Sequence, residues 1–139
     1  MSEIFFSMTT SRALPPGPVC VDIAGLELTD HERDRLRHPL TGMVILFTRN
    51  YANREQLKAL CTNIHATRPE ILIAVDHEGG RVQRFRTEFT EVPAMAEIAG
   101  REHPEEAFRA AGQVLAEELR EVGVDLTFAP AVSYTHLRA

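Results

Sequence analysis

The residues best suited to chemistry lie together in Ile71–Arg86, which reads ILIAVDHEGGRVQRFR. An apolar run ends in Asp76, His77 and Glu78. Gly79 and Gly80 follow, then Arg81, Arg84 and Arg86 within six residues. A buried strand that delivers a carboxylate to a Gly-rich turn is a common way to build a polar ligand site. Gly79 and Gly80 can take positive φ, which lets the chain double back beside a ligand. A guanidinium can fork onto hydroxyls or pair with a carboxylate. The segment reads as a site rather than a core element.

Asp76 is the leading candidate, because α/β folds place ligand groups at the carboxyl ends of their strands. An Asp there can also cap the next turn through backbone N–H bonds; the strand-end position favours the ligand role. Glu78, beside Arg81, is better explained as half of an ion pair that shapes the loop. Asp76, His77 and Glu78 are adjacent in a turn and do not suit one metal centre, so no metal is expected. Gly79-Gly80 lacks both the GxGxxG spacing and the Lys-Ser/Thr of a phosphate loop. Arg84 lies one compact turn from Asp76 and can return to the same pocket, although spacing does not rank the three arginines. Phe47-Thr48-Arg49-Asn50 follows another strand and should share a face with Asp76, either as site wall or as loop support. His31, His38, His65 and His103 have no partner by spacing, and no Ser-His-Asp or Cys-His arrangement can be assembled.

These groups need elements to position them, and the chain alternates strand and helix signals. Residues 1–18 read as a flexible leader closed by Pro15-Pro16-Gly17-Pro18. Val19–Ile23 and Met43–Phe47 are apolar strands. Ile71–Val75 is a third and Asp125–Phe128 a fourth. Thr29 with Glu32 has capping-box spacing, and Asn53 with Gln56 is a similar helix start. Leu57, Leu60, Cys61 and Ile64 form one apolar stripe. A longer loop is expected through Pro93. Pro104 then opens a helix whose apolar face is Phe108, Ala111, Val114, Leu115, Leu119 and Val122, and Gly123 stops it. Strands apolar on both faces between amphipathic helices imply a parallel sheet covered by helices. A doubly wound sheet and a (β/α)8 barrel both fit this α/β pattern. A barrel needs about 250 residues, so 139 residues hold about half of one.

Bulk properties exclude some partners. A formal charge of −5 and no basic run longer than two residues argue against a nucleic-acid or membrane surface. The N-terminus lacks a signal-peptide pattern. Cys20 and Cys61 sit in apolar patterns and are expected to be buried free thiols in a reducing cytoplasm.

VDHEGGRVQRF, preceded by ILFTRNY and followed by VPAM and VGVDLTFAP, resembles glycoside hydrolase family 3, nearest its bacterial β-N-acetylglucosaminidase branch. The resemblance runs from about Pro18 to Pro130. It implies the (β/α)8 barrel, here its N-terminal half cut after about the fourth strand. Partial barrel is expected over 19–132, with 133–139 a non-native tail. The activity implied is retaining release of terminal N-acetylglucosamine from muropeptides in cytoplasmic peptidoglycan recycling, by a monomer needing no cofactor. Asp76 matches the family carboxylate that bonds sugar hydroxyls, and Arg84 a second sugar-contacting position. His77 stands where a glutamine is the commoner expectation. The implied Lys-His pair, the His-Asp acid/base and the aspartate nucleophile all lie beyond Pro130. A retaining glycosidase needs its two carboxyl-type groups roughly 5–5.5 Å apart, so this chain is expected to bind but not cut. A non-catalytic sugar-binding half-barrel and a phosphorolytic variant are the alternative readings.

Overall fold

A computed structural model describes residues 17–130. Most of the expected leader, and the expected tail at 133–139, lie outside these residues. In chain order the elements are β1 (Val19–Asp22), α1 (Asp30–Arg37), β2 (Thr41–Leu46), a 3-10 turn (Thr48–Asn50), α2 (Arg54–Thr67) and β3 (Leu72–Val75). Then come β4 (His77–Gly79), β5 (Val82–Gln83), α3 (Met95–Ala99), α4 (Pro104–Glu121) and β6 (Leu126–Thr127). The sheet order is β1-β2-β3-β6, every pair parallel. Successive strands are thus neighbours and the order never reverses. A doubly wound sheet reverses at its switch point, whereas a barrel does not. The topology is that of barrel strands laid down in sequence.

The helices begin where side chains can satisfy their free N–H groups. Thr29 Oγ1 accepts from Glu32 N at 3.3 Å, and Glu32 Oε2 accepts from Thr29 N at 2.8 Å, a complete capping box. Glu32 Oε1 also accepts from Ala24 N at 2.8 Å, tying α1 to the loop after β1. Burial raises the Glu32 carboxyl's pKa, but the bonds from Ala24 and Thr29 outweigh it and hold the value below the ordinary range. Asn53 Oδ1 caps α2 by accepting from Gln56 N at 2.8 Å. The Gln56 side chain reaches back to Ala52 N at 2.9 Å, one residue before the cap. Gly123, at φ +89°, follows the end of α4.

Leu57, Leu60, Cys61 and Ile64 of α2 pack on β2 and β3 through Val44, Leu46, Ile73 and Val75 in one continuous core. Burial pushes the Cys61 thiol up to about 12, which makes it inert. Two expectations fail here. Cys20 is exposed, because β1 has β2 on one side and no strand on the other among the described residues. On α4, Ala111, Leu115 and Leu119 are buried but Phe108 is exposed. Phe108 shares helical periodicity with the buried stripe, yet it lines an open cleft with Met95, Gly112 and Thr127 instead of packing into the core.

Two of the histidines expected to lack partners have them. His65 Nε2 lies 3.4 Å from Asp125 Oδ2, and His38 Nδ1 accepts from Leu40 N at 3.2 Å. The contacting groups are remote or bent back in the chain, so helical spacing does not reveal them. Buried Arg68 donates from Nη1 to the carbonyls of Leu36, His38 and Thr41, and fixes the turn between α1 and β2. Replacing Glu32 by Ala leaves the Thr29 cap on its backbone N–H but removes the carboxylate's bonds from Thr29 N and Ala24 N. The expected loss is about 2 kcal/mol in urea-unfolding free energy; an unchanged midpoint would show that the carboxylate does not hold this corner.

Candidate functional site

Parallel strands bring their carboxyl ends to one rim, and the rim carries Phe47 after β2, Asp76 after β3 and Phe128 after β6. Asp76 is the single residue between β3 and β4. The chain then turns back as an antiparallel hairpin, β4 against β5, in place of the irregular loop expected from the sequence. Gly79 has φ +94° and Gly80 φ +56°, so both use the freedom anticipated for them. Space matters as much as φ. A Cβ at Gly79 would lie 2.7 Å from Val92 O, and one at Gly80 would lie 2.7 Å from the Ala94 Cβ. The turn is therefore pressed against 92–94, and Gly80 N donates to Val92 O at 2.7 Å.

The hairpin carries Arg84 back to the strand end. Arg84 Nη2 lies 3.2 Å from Asp76 Oδ2. Both side chains are about a third exposed, Arg84 at 31% and Asp76 at 30%, so the pair is open to a ligand. Arg84 Cζ is also 5.9 Å from the centroid of the Phe47 ring, and Arg49 Cζ is 4.7 Å from the same ring. Of the three arginines, the structure brings Arg84 to Asp76. Arg86 instead braces the hairpin through Gly80 O at 2.6 Å and Glu91 at 3.3 Å. A cleft of about 370 Å³ lies alongside, lined by Thr48, Tyr51, Arg81, Gln83, Arg84 and Arg86; Asp76 is outside it.

Arg49 and Asn50 take the loop-supporting role. Asn50 is fully buried; its amide donates to Ile23 O at 2.9 Å and Gly25 O at 2.8 Å, and its carbonyl accepts from Phe47 N. Arg49 pairs with Asp22 and donates to Ile23 O. Among the described residues no group of three His, Cys, Asp or Glu side chains is arranged to hold a metal ion.

Gln83 was not singled out from the sequence. It is buried, and its amide donates to Phe85 O at 3.2 Å and Thr90 O at 2.9 Å while accepting from Val92 N at 3.0 Å. It zips the hairpin to the segment after it. Its chain neighbours are Val82 and Arg84, so no apolar pattern in the sequence marks it as buried.

His77 is buried, with its ring 5.4 Å from Phe85 and 5.6 Å from Phe89. It belongs to the aromatic packing under the hairpin, not to the ligand face. Burial pushes its pKa down to about 4; the Glu118 carboxylate opposes this and Arg86 adds to it. The unfolded residue titrates near 6.5. Below that pH the unfolded chain takes up the proton first. The stability contributed by neutral His77 is therefore fully present above 6.5 and declines as pH falls to about 4. The expected decline is roughly 3 kcal/mol, and His77→Phe should flatten it. Unfolding curves between pH 7 and 4 check this; an equal slope in wild type and variant removes His77 as the cause.

The chain compares closely with characterised proteins. Residues 18–138 match the glycosyl hydrolase family 3 N terminal domain. The β-hexosaminidase of Bordetella avium is 58% identical over 127 residues, covering 86% of this chain and 36% of that protein. That of Nitrosospira multiformis is 55% identical over 123 residues, covering 84% and 35%. Native NagZ from Neisseria gonorrhoeae superposes with a TM-score of 0.79 at 49% identity, covering 84% of this chain and 36% of that one. Its complex with N-trifluoroacetyl-D-glucosamine superposes at 0.80 with the same identity, covering 84% of this chain and 37% of that one. The chain thus spans about a third of the length of these relatives. Its motifs, strand order and extent of match make it a member of glycosyl hydrolase family 3, within that family's N-terminal barrel domain.

Proposed function

We propose that the chain is the substrate-gripping N-terminal part of a retaining β-N-acetylglucosaminidase, which releases terminal N-acetylglucosamine from muropeptides or related glycosides. The observation that carries this reading is the Asp76–Arg84 pair, half-open at the carboxyl ends of barrel strands. A carboxylate can accept hydrogen bonds from two vicinal sugar hydroxyls, and the neighbouring guanidinium can donate to a third oxygen while orienting the carboxylate. Hydroxyl contacts of this kind strengthen as the ring flattens toward an oxocarbenium-like transition state. They bind and distort but do not cleave. The nucleophile and the acid/base come from the remainder of the parent protein, whose strands continue the sheet from 19–132.

Exposed Val19 and Leu126 on the two outer strands support continuation of the sheet. The free thiols of Cys20 and Cys61 support a reducing, cytoplasmic compartment. Among the described residues no helix is long and apolar enough to cross a membrane. A small carbohydrate is the partner, the parent acts as a monomer, and its chemistry requires no metal or organic cofactor.

The 139-residue chain alone should give no turnover of a chromogenic N-acetyl-β-glucosaminide. Turnover above that of a mock purification would place cutting groups inside this segment. In the complete enzyme, Asp76→Ala should lower kcat/KM by roughly a hundredfold or more with the fold intact, because a charge-assisted contact is lost in the transition state. Near-normal kinetics in a folded Asp76→Ala enzyme would remove Asp76 from the site.

A further inference from the structure

We propose that Thr127 is a positioning residue for Asp76, acting through a hydroxyl that locks the peptide following the carboxylate. The inference rests on the sugar-binding reading of Asp76 and adds to it a residue that touches no substrate.

Strand β6 is only two residues long, yet it and the residue after it fix the backbone on both sides of Asp76. Before Asp76, Val75 O accepts from Phe128 N at 3.0 Å. After it, Thr127 Oγ1 accepts from His77 N at 3.2 Å and donates its proton to His77 O at 3.0 Å. A hydroxyl has one proton and two lone pairs, so both bonds are held at once. One side chain thus satisfies both backbone polar groups of the residue that follows Asp76.

This matters because Asp76 stands at a corner. β3 ends at Val75 and β4 starts at His77 with a different partner and the opposite pairing sense. The peptide planes there are set by whatever holds them from the neighbouring strand. Arg84 holds the outer end of the Asp76 side chain at 3.2 Å, and Thr127 holds its root. A carboxylate that meets two hydroxyls at once needs both ends fixed, since small misplacement of a binding group is costly in rate. Thr127 lies in the fourth parallel strand, 50 residues away from His77 in sequence.

The test uses the complete enzyme that carries this chain, with four variants in one series: Asp76→Ala, Thr127→Val, Thr127→Ser and Thr127→Ala. Val keeps the branched shape and strand preference but loses the hydroxyl; Ser keeps the hydroxyl and loses only a methyl. Steady-state kcat and KM on a chromogenic N-acetyl-β-glucosaminide are read alongside the thermal midpoint. Thr127→Val should fold and lose roughly tenfold or more in kcat/KM, with Thr127→Ser within about threefold of wild type. If the Val enzyme does not fold, Thr127→Ala supplies the hydroxyl-free comparison with Ser. A hydroxyl-free enzyme with wild-type kinetics overturns the proposal, as does a Ser enzyme impaired as badly as the Val or Ala one. An inactive Asp76→Ala beside an unaffected Thr127→Val defeats this inference alone. A fully active Asp76→Ala defeats the sugar-binding reading and this inference with it.

Discussion

The site depends on a place where side chains cannot go. The turn at Gly79 and Gly80 lies so close to Val92 O and the Ala94 Cβ that even a methyl group would collide at 2.7 Å. That contact converts the end of β3 into a hairpin, and the hairpin alone brings Arg84 back to Asp76 across eight residues of chain. The approach also supplies its own partners. Gly80 N reaches Val92 O, and Gln83 takes up Val92 N and Thr90 O from the facing segment. These bonds satisfy much of the turn's backbone polarity, which suits a loop that must keep one geometry.

Around that turn, most charged groups serve the loops rather than a ligand. Glu88 adopts φ 65°, costly for a residue with a side chain, and its carboxylate accepts from Arg54 N at 2.7 Å at the start of α2. Glu118 on α4 accepts from Thr90 N and its hydroxyl. Asp125 accepts from Ile73 N at 2.8 Å at the opposite end of the strands from Asp76. These are carboxylates used as fixed acceptors for backbone N–H groups. Asp76 differs in that its bond goes to a side chain, Arg84, and not to a backbone N–H.

A barrel distributes its site over the ends of several strands, and each segment contributes a share. Here the share is a carboxylate, a guanidinium and an aromatic ring at Phe47 on adjoining strand ends. The aromatic packing of Tyr51, His77, Phe85 and Phe89 supports the hairpin that carries Arg84.

The sequence by itself determined the parallel α/β alternation, the capped starts of α1 and α2, the buried stripe of α2 and Asp76 as a strand-end candidate; that Arg84, of three arginines, meets it was decided by the fold. Each of the sequence-legible features is a local effect: apolar periodicity, a cap three residues from its donor, or a carboxylate at the end of an apolar run. Only the tertiary structure decided that β1 leaves Cys20 exposed, that α4 leaves Phe108 exposed, and that His65 meets Asp125. The same holds for Gln83 as a latch, His77 as a buried neutral ring and Thr127 beside the peptide after Asp76. The reason is that burial and long-range hydrogen bonds depend on which strand comes to lie beside which. Spacing along the chain carries no record of a contact made across 50 residues.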